Sequence, residues 1–574
     1  MAADATQNIF ANPVRRVLQV IKLEKNEISS VYFYAILNGL IQLSLPLGIQ
    51  SIISFVLGGA ISTSLVVMII LVVTGVFLGG LLQVNQMRLI EKVQQKIFVR
   101  YSFEFAERIP KLNLQSVDSY YLPELLNRFF DTVTLQKGIS KLLLDIPGAT
   151  IQIIFGLLLL SFYHPVFIFF GLVLVLLIFL ILRFTSAKGM ESSLRESDFK
   201  YAVGGWLEEM ARVIKSFKFS RNTSLNIQRT DILVTGYLTH RTIHFNVLLL
   251  QYWSLVIFKV LITASMLIVG SILLVNQQLN IGQFIAAEII ILTVINSVEK
   301  LMVNLDTVYD VLTSVEKLGK ITDKPLEVNG NLELAPEDKG LGIEMNNVYF
   351  SYDGNDGKSV LNNINFTIHS NERVCIMGST GSGKSTLLRL LSGAYNHFSG
   401  NIFIDNIPLS NYHLDSLRKQ TGILLSQQDI FQGTLLENIT MGNQEISPHH
   451  ILKLAEKTGL KKVVSELEDG LNTHLDPIGK KLSKNIIQKI LLLRAMVNNP
   501  RLVLMEEPFD SISETARQSL MKYLLTQTAG QTILVSCNDE NFASQCDKVI
   551  FLDNGSVKVA GKWDDIKNSI KGQS

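Results

Sequence analysis

The sequence predicts two unlike domains in tandem: an α-helical membrane domain of six transmembrane helices, then an open α/β domain. Three observations carry this reading. Six long apolar stretches occupy the first 303 residues, strand-like runs alternate with helical segments from residue 341 onward, and a glycine-rich turn, "VCIMGSTGSGKSTLL", joins one of those strands to a helix.

Composition fits the division. Of 574 residues, 48% are hydrophobic and 18% charged. That is too apolar for an ordinary soluble protein and too charged for a chain lying wholly in lipid. Lys and Arg total 52 against 50 Asp and Glu, a balance that argues against a nucleic-acid partner. The three cysteines, Cys375, Cys537 and Cys546, fall in the polar C-terminal half without a CxxC pair. They read as reduced thiols facing the cytosol, neither a disulfide framework nor a zinc site. Residues 1–27 lack a short apolar core followed by a small-residue cleavage site, so they read as a cytoplasmic N-terminal segment.

The apolar stretches run from Tyr32 to Leu57, Ile61 to Leu82, Leu144 to Phe162, Val166 to Phe184, Val247 to Val275 and Ile281 to Val303. Each is about the length that crosses a ~30 Å hydrocarbon core as a helix. Three of their connections are short and carry no Lys or Arg, whereas Gln83–Leu143 and Thr185–Asn246 are long and contain many of both. This asymmetry predicts a multi-pass protein of the cell (inner) membrane with both long connections and both termini in the cytosol. The long connections keep helical periodicity with little Gly or Pro, so they should extend the spans as arms. The six-helix domain is assigned to 28–305, a polar linker to 306–340 and the α/β domain to 341–574. Strands are expected at Gly342–Val348, Arg373–Met377, Ile423–Leu425, Leu502–Met505, Thr532–Ser536 and Lys548–Leu552.

The glycine-rich turn fits G-x-x-x-x-G-K-[ST] between strand and helix, the context that a phosphate-binding P-loop requires. Gly378, Gly381 and Gly383 let backbone N–H groups wrap phosphate oxygens, with Ser379, Thr380, Ser382 and Thr386 completing the loop. Lys384 brings a positive charge to the β/γ-phosphates, and the Ser385 hydroxyl is placed for Mg²⁺. "RLVLMEEPFD" supplies a buried strand that delivers Glu506 and Glu507 at its C-terminal end, where open α/β sheets bind ligands. One carboxylate there can hold Mg²⁺ and the next can polarise a water. The second domain therefore reads as an α/β P-loop nucleotide-binding domain.

Six spans, two long arms and a following P-loop domain resemble one half-transporter of the ABC exporter family, over nearly the whole chain. Within that family the sequence is most similar to bacterial exporters of peptides, proteins and hydrophobic compounds, type I secretion ATPases among them. The resemblance assigns Tyr352 in "VYFSYDG" to the aromatic that stacks on adenine. It assigns Gln427 in "LLSQQDIFQGTLLENI" to the glutamine that reaches Mg²⁺ and the γ-phosphate, and Glu507 to the general base. It implies ATP and Mg²⁺ as cofactors, the lipid bilayer as surroundings, a second half-transporter as partner and a periplasmic adaptor protein as a further one.

Several positions depart from the family's pattern. The signature L-S-G-G-Q, which caps ATP on the opposite subunit, reads "LSKNI". Leu482 and Ser483 remain, Lys484 and Asn485 replace both glycines, and Ile486 replaces the glutamine. The usual Asp of the magnesium strand is Glu506, the loop histidine is Asn538, and the Asp closing the loop after Glu507 is Ser513. ATP binding is therefore expected to be intact and hydrolysis impaired, with a heterodimer favoured over a homodimer because an intact signature has to come from a partner. The expected function is the ATP-binding and permease subunit of an exporter; the alternative is an ATP-binding membrane module with little or no hydrolysis. Coupling helices are expected near Gln115–Glu124 and Arg212–Phe219. Asn38, Gln42 and Gln50 form a polar stripe on the first span, and Glu288 lies ~10 Å below the outer end of the sixth. Folding spans five and six about their loop pairs Lys259 with Glu299 and leaves Glu288 alone. The stripe and Glu288 are expected to line a central cavity that contacts cargo.

Overall fold

The computed structural model describes residues 2–58, 63–118, 120–220, 223–352, 359–426, 428–479, 481–526, 528 and 530–571, with side chains for all of these except 2–12, 478 and 569–571. The chain divides into two compact units. The first comprises Met1–Pro110 and Tyr120–Lys324, the second Lys111–Ser119 and Pro325–Ser574.

The first unit is helical: α1 (Ala2–Leu23), α2 (Lys25–Gln42), α3 (Ser44–Leu57), α4 (Thr63–Arg108), α5 (Leu122–Leu126), α6 (Asp131–Tyr163), α7 (Val166–Arg212), α8 (Ile214–Phe219), α9 (Leu225–Val275) and α10 (Ile281–Thr322). Six helical segments among the described residues are long and apolar enough to cross a membrane. The expected arms are continuous with the spans. Helices α4, α7 and α9 reach 46, 47 and 51 residues, or roughly 70 Å each at 1.5 Å per residue. The first span is interrupted between α2 and α3. Pro46 has no N–H to give to the Gln42 carbonyl, so the i→i−4 ladder breaks there and the Leu43 amide bonds the Leu40 carbonyl at 3.2 Å.

Two boundaries differ from the sequence reading. The polar composition after Asp306 reads as linker, yet α10 continues to Thr322. Polarity rises there because the helix leaves its apolar stretch, not because it ends. Val311, Val315, Leu318 and Ile321 keep the helical spacing and are buried. Residues 1–27 are likewise more than a polar tail: α1 adds Val20 to the cluster holding Val311 and Leu318, and Arg16 pairs with Glu316 at 2.8 Å.

The second unit carries twelve strands among the described residues: β1 (Ile343–Phe350), β2 (Leu361–Ile368), β3 (Arg373–Gly378), β4 (Ser399–Ile404), β5 (Ile407–Pro408), β6 (Thr421–Leu424), β7 (Gly433–Thr434), β8 (His474–Leu475), β9 (Leu502–Glu506), β10 (Thr532–Ser536), β11 (Lys548–Asp553) and β12 (Ser556–Gly561). They form an antiparallel sheet ordered β2-β1-β4-β5, a larger sheet ordered β12-β11-β3-β10-β9-β6 and the small pair β7-β8. All six expected strands are present within two residues at each end. Within the larger sheet, β3, β10 and β9 are adjacent and parallel, so their C-terminal ends meet at one edge. The three cysteines are free and buried.

Candidate nucleotide-binding site

That edge assembles the residues singled out from sequence. Strand β3 ends at Gly378 with φ 152°, and a Cβ there would stand 2.2 Å from the Leu552 carbonyl oxygen. Gly383 has φ 100° and precedes the P-loop helix Lys384–Leu391. Only glycine takes such backbone without strain. Lys384 is buried at the start of the helix, its Nζ donating to the carbonyls of Gly378 at 2.7 Å and Ser379 at 3.0 Å. Desolvation lowers its pKa below the ordinary lysine value. An ammonium so placed, held among the described residues by two loop carbonyls, is preset for an anion. Ser379, Thr380 and Gly381 are exposed along the loop. Ser382 Oγ is buried with no hydrogen-bond partner, an orphan that a phosphate oxygen would satisfy.

Ser385 Oγ donates to Glu506 Oε1, and Glu506 Oε2 accepts from the Ser426 amide at 2.9 Å. The longer side chain of Glu506 therefore still reaches the P-loop hydroxyl, and these two residues fit a magnesium site. Glu507, the next residue, sits at φ 43°, an uncommon conformation for a non-glycine residue. Its amide donates to the Ser536 carbonyl at 2.8 Å. Burial first, and the Asp510 carboxylate second, raise its pKa above the usual glutamate value. A partly desolvated carboxylate of this kind suits a proton acceptor.

Asn538, just past β10, accepts from the Gly378 amide through Oδ1 at 3.1 Å, so it touches the P-loop directly. Tyr352 is half-buried. Its hydroxyl lies 3.0 Å from Thr386 Oγ1 and accepts from Arg389 at 3.4 Å, and its ring packs edge-on against Phe350 and Tyr395. Gln427 lies outside the described residues. Ser513 is exposed, its Oγ 3.3 Å from Thr515 Oγ1.

Sequence reasoning missed three contributors: the Ser426 amide on Glu506, Arg389 on Tyr352, and Gln488, whose Nε2 donates to the Glu507 carbonyl at 3.3 Å. The first depends on strand pairing that no local pattern encodes. Arg389 and Gln488 sit on helices flanking recognised motifs, and helical spacing from Ser385 and Ser483 was the available signal.

The altered signature begins a regular helix, Lys484–Met496, with Ser483 as its N-cap accepting from the Ile486 amide at 3.3 Å. Lys484 is exposed and Asn485 half-buried. The first expected coupling segment, Gln115–Glu124, is divided: its part up to 119 belongs to the unit that holds the P-loop, where Tyr395 Oη donates to Asp118 Oδ2 at 2.8 Å, and 120–124 belong to the helical unit. The α8 helix belongs to the helical unit.

Within the helical unit, a cavity of about 420 Å³ is lined by Gln42, Pro46, Gly75, Gly79, Gln152 and Thr293, among others. Two of its lining residues, Gln42 and Gln152, belong to a chain of neutral groups. Gln42 donates to Asn38 at 3.4 Å, Gln152 donates to Gln42, and Ser297 donates to Gln152 at 2.7 Å. Lys259 pairs with Glu299 as expected. Glu288 Oε2 is buried without a partner, but Glu288 does not line this cavity. Of the expected stripe only Gln42 lines this cavity; Asn38 and Gln50 do not, and Gln50 accepts from the Tyr163 hydroxyl instead.

Comparison with known proteins agrees with this geometry. The model of the ABC transporter transmembrane region matches residues 30–298, and that of the ABC transporter matches residues 361–510. Together they take in more than half of the chain. The alpha-hemolysin translocation ATP-binding protein HlyB of Escherichia coli O157:H7 is 31% identical over 51% of this chain and 41% of its own length. The leukotoxin export ATP-binding protein LtxB of Aggregatibacter actinomycetemcomitans is 30% identical over 53% of this chain and 43% of its own. Each match thus spans less than half of the relative. A structure described as a bacterial Atm1-family ABC exporter with ATP bound superposes with a TM-score of 0.83 at 19% identity, covering 95% of this chain and 96% of that one. At that identity the likeness is one of fold. The chain belongs to the ABC transporter family, an exporter-type transmembrane region followed in the same polypeptide by an ABC ATPase domain.

Proposed function

We propose that this chain is the ATP-binding and permease subunit of an exporter in the cell membrane, working as one half of a two-chain assembly. The observation that carries the reading is the cluster of Lys384, Ser385, Glu506 and Glu507 at one sheet edge, in the same polypeptide as six membrane-crossing helices. Lys384 and the loop amides bind and orient the ATP phosphates. Ser385 and Glu506 are the residues that would hold Mg²⁺, which would neutralise phosphate charge. Glu507 accepts the proton of the attacking water, and the P-loop excludes bulk solvent from one side of the site. Tyr352 receives the base. Exchange between nucleotide-bound and nucleotide-free states would bias the helical unit between two arrangements. The amide-lined cavity at the break in the first span is the place for cargo.

A second reading is favoured by Lys484, Asn485 and Asn538: a membrane module that binds ATP and turns it over little. A heterodimer reconciles the two readings, since a partner with both signature glycines would cap this chain's P-loop. The test is ATP turnover of the purified chain in lipid nanodiscs, alone and with a candidate partner. Turnover that rises several-fold only with the partner supports the exporter half. Brisk turnover by the chain alone removes the heterodimer. Lack of ATP binding removes both readings.

A further inference from the structure

On the side of the long arms, α9 and α10 enclose a second cavity of about 340 Å³ that neither the nucleotide site nor the amide chain uses. Most of its wall is apolar, with Leu248, Leu249, Tyr252 and Met302 contributing. Two acceptors break that wall, Gln251 and Asp306.

Gln251 is only 2% exposed. Its Nε2 donates to Thr185 Oγ1 at 2.7 Å and to Tyr309 Oη at 3.0 Å. The Thr185 hydroxyl itself donates to the Ile181 carbonyl at 2.8 Å, so toward Gln251 it can only accept, and this fixes the orientation of the amide. The orphan is then Gln251 Oε1, buried without a hydrogen-bond partner among the described residues. An unmatched acceptor in such a place is costly unless something donates to it. Asp306 Oδ1 faces His244 Nε2 at 3.3 Å, and His244 is held from behind by Ser192 at 2.9 Å. Among the described residues no Lys or Arg makes an ion pair with Asp306, so the carboxylate keeps capacity for a further donor.

Depth narrows the ligand. The apolar stretch of α9 begins at Val247 and that of α10 ends at Val303. The cavity therefore straddles the limit of the hydrocarbon region, with Asp306 on its head-group side. An apolar wall interrupted by an amide and a carboxylate calls for an amphiphile whose head carries N–H donors and positive charge. A quaternary choline has the charge but no N–H, and an anionic glycerol head would meet the carboxylate. We propose that this cavity binds the primary ammonium head and upper acyl chain of a phosphatidylethanolamine molecule from the leaflet on the arm side.

The test uses the full chain in nanodiscs of equimolar phosphatidylethanolamine, phosphatidylcholine and phosphatidylglycerol, with lipids that survive delipidation counted by native mass spectrometry. Phosphatidylethanolamine should be retained over phosphatidylcholine by at least about tenfold, as a charge-assisted hydrogen bond allows. Asp306→Asn should bring the two lipids close to equal. Leu249→Trp fills the apolar wall while leaving both acceptors, and should lower phosphatidylethanolamine retention too. Unchanged elution as a single species and an unchanged thermal unfolding midpoint report that the helical unit of each variant is folded. Equal retention of the two zwitterionic lipids in the parent chain, preference for phosphatidylglycerol, or unchanged selectivity in both variants would overturn the proposal. None of these readouts depends on transport, so failure here is distinguishable from failure of the exporter reading.

Discussion

The phosphate cradle and the start of the signature helix are both loop-to-helix turns of one domain, and they treat glycine differently. In the cradle, Gly378, Gly381 and Gly383 all have positive φ. A side chain at Gly378 would also strike the Leu552 carbonyl. Replacement there would strain the backbone as well as block phosphate. At the signature, Lys484 and Asn485 occupy the first turn of a helix capped by Ser483, and neither is among the positive-φ residues. The backbone accepts side chains there without penalty, so the fold makes no demand for glycine at either position. Where glycine is demanded by the fold the chain keeps it. Where the fold makes no such demand, at Lys484 and Asn485, side chains stand.

The strongest way to break this comparison is to remove the cradle's charge. Lys384→Ala should weaken ATP binding by roughly 30-fold or more, the scale for truncating one partner of a buried charge contact, measured with a fluorescent nucleotide on the membrane-reconstituted protein. Unchanged affinity would mean that the cradle is not the binding site. The complementary change, Lys484→Gly with Asn485→Gly, should raise ATP turnover about tenfold, the scale of one recovered charged hydrogen bond. It should cost at most about 1 kcal/mol of helix stability per glycine. A drop in thermal stability without gain in turnover would show that the side chains are structural.

Glu507 sharpens the contrast further, because it is kept while its neighbours vary. Glu507→Gln should abolish whatever turnover remains and leave ATP affinity within about threefold. Because the pKa of Glu507 is raised, acidification protonates this base sooner than a solvated glutamate. Turnover should fall with a midpoint above the ordinary value of about 4.3, and a midpoint at or below that value would remove Glu507 as the base. The smallest effect is expected in the helical unit. Gln42→Leu cuts the amide chain between Asn38 and Gln152 and should change cargo-stimulated turnover several-fold, on the scale of one neutral hydrogen bond, without altering ATP binding.

Much of the molecule was legible because its signals are local. A span is a run of apolar residues long enough for the bilayer, the arms keep one helical period, and the P-loop is a contiguous string with fixed backbone demands. The Lys259–Glu299 pair was also within reach, since a short loop between two helices sets their register. Within the expected linker 306–340, residues 306–322 are helix: polarity alone resembles a helix end, but burial of Val311, Val315 and Leu318 continues it. Strands β2 and β4 were missed since "LNNINFTI" and "SGNIFI" are rich in Asn, Ser and Gly, and only pairing with β1 on both sides makes them strands.

By itself the sequence determined the six helical spans, the glycine positions of the cradle and the two consecutive carboxylates, because each follows from neighbours a few residues away. Tertiary structure alone decided that Glu506 reaches Ser385, that Asn538 bonds the Gly378 amide, that Glu288 stands outside the amide-lined cavity and that Gln251 is left with an unpaired oxygen. These depend on which side chains meet across elements distant in sequence, and burial, which sets the cost of every polar group, exists only once those elements have packed.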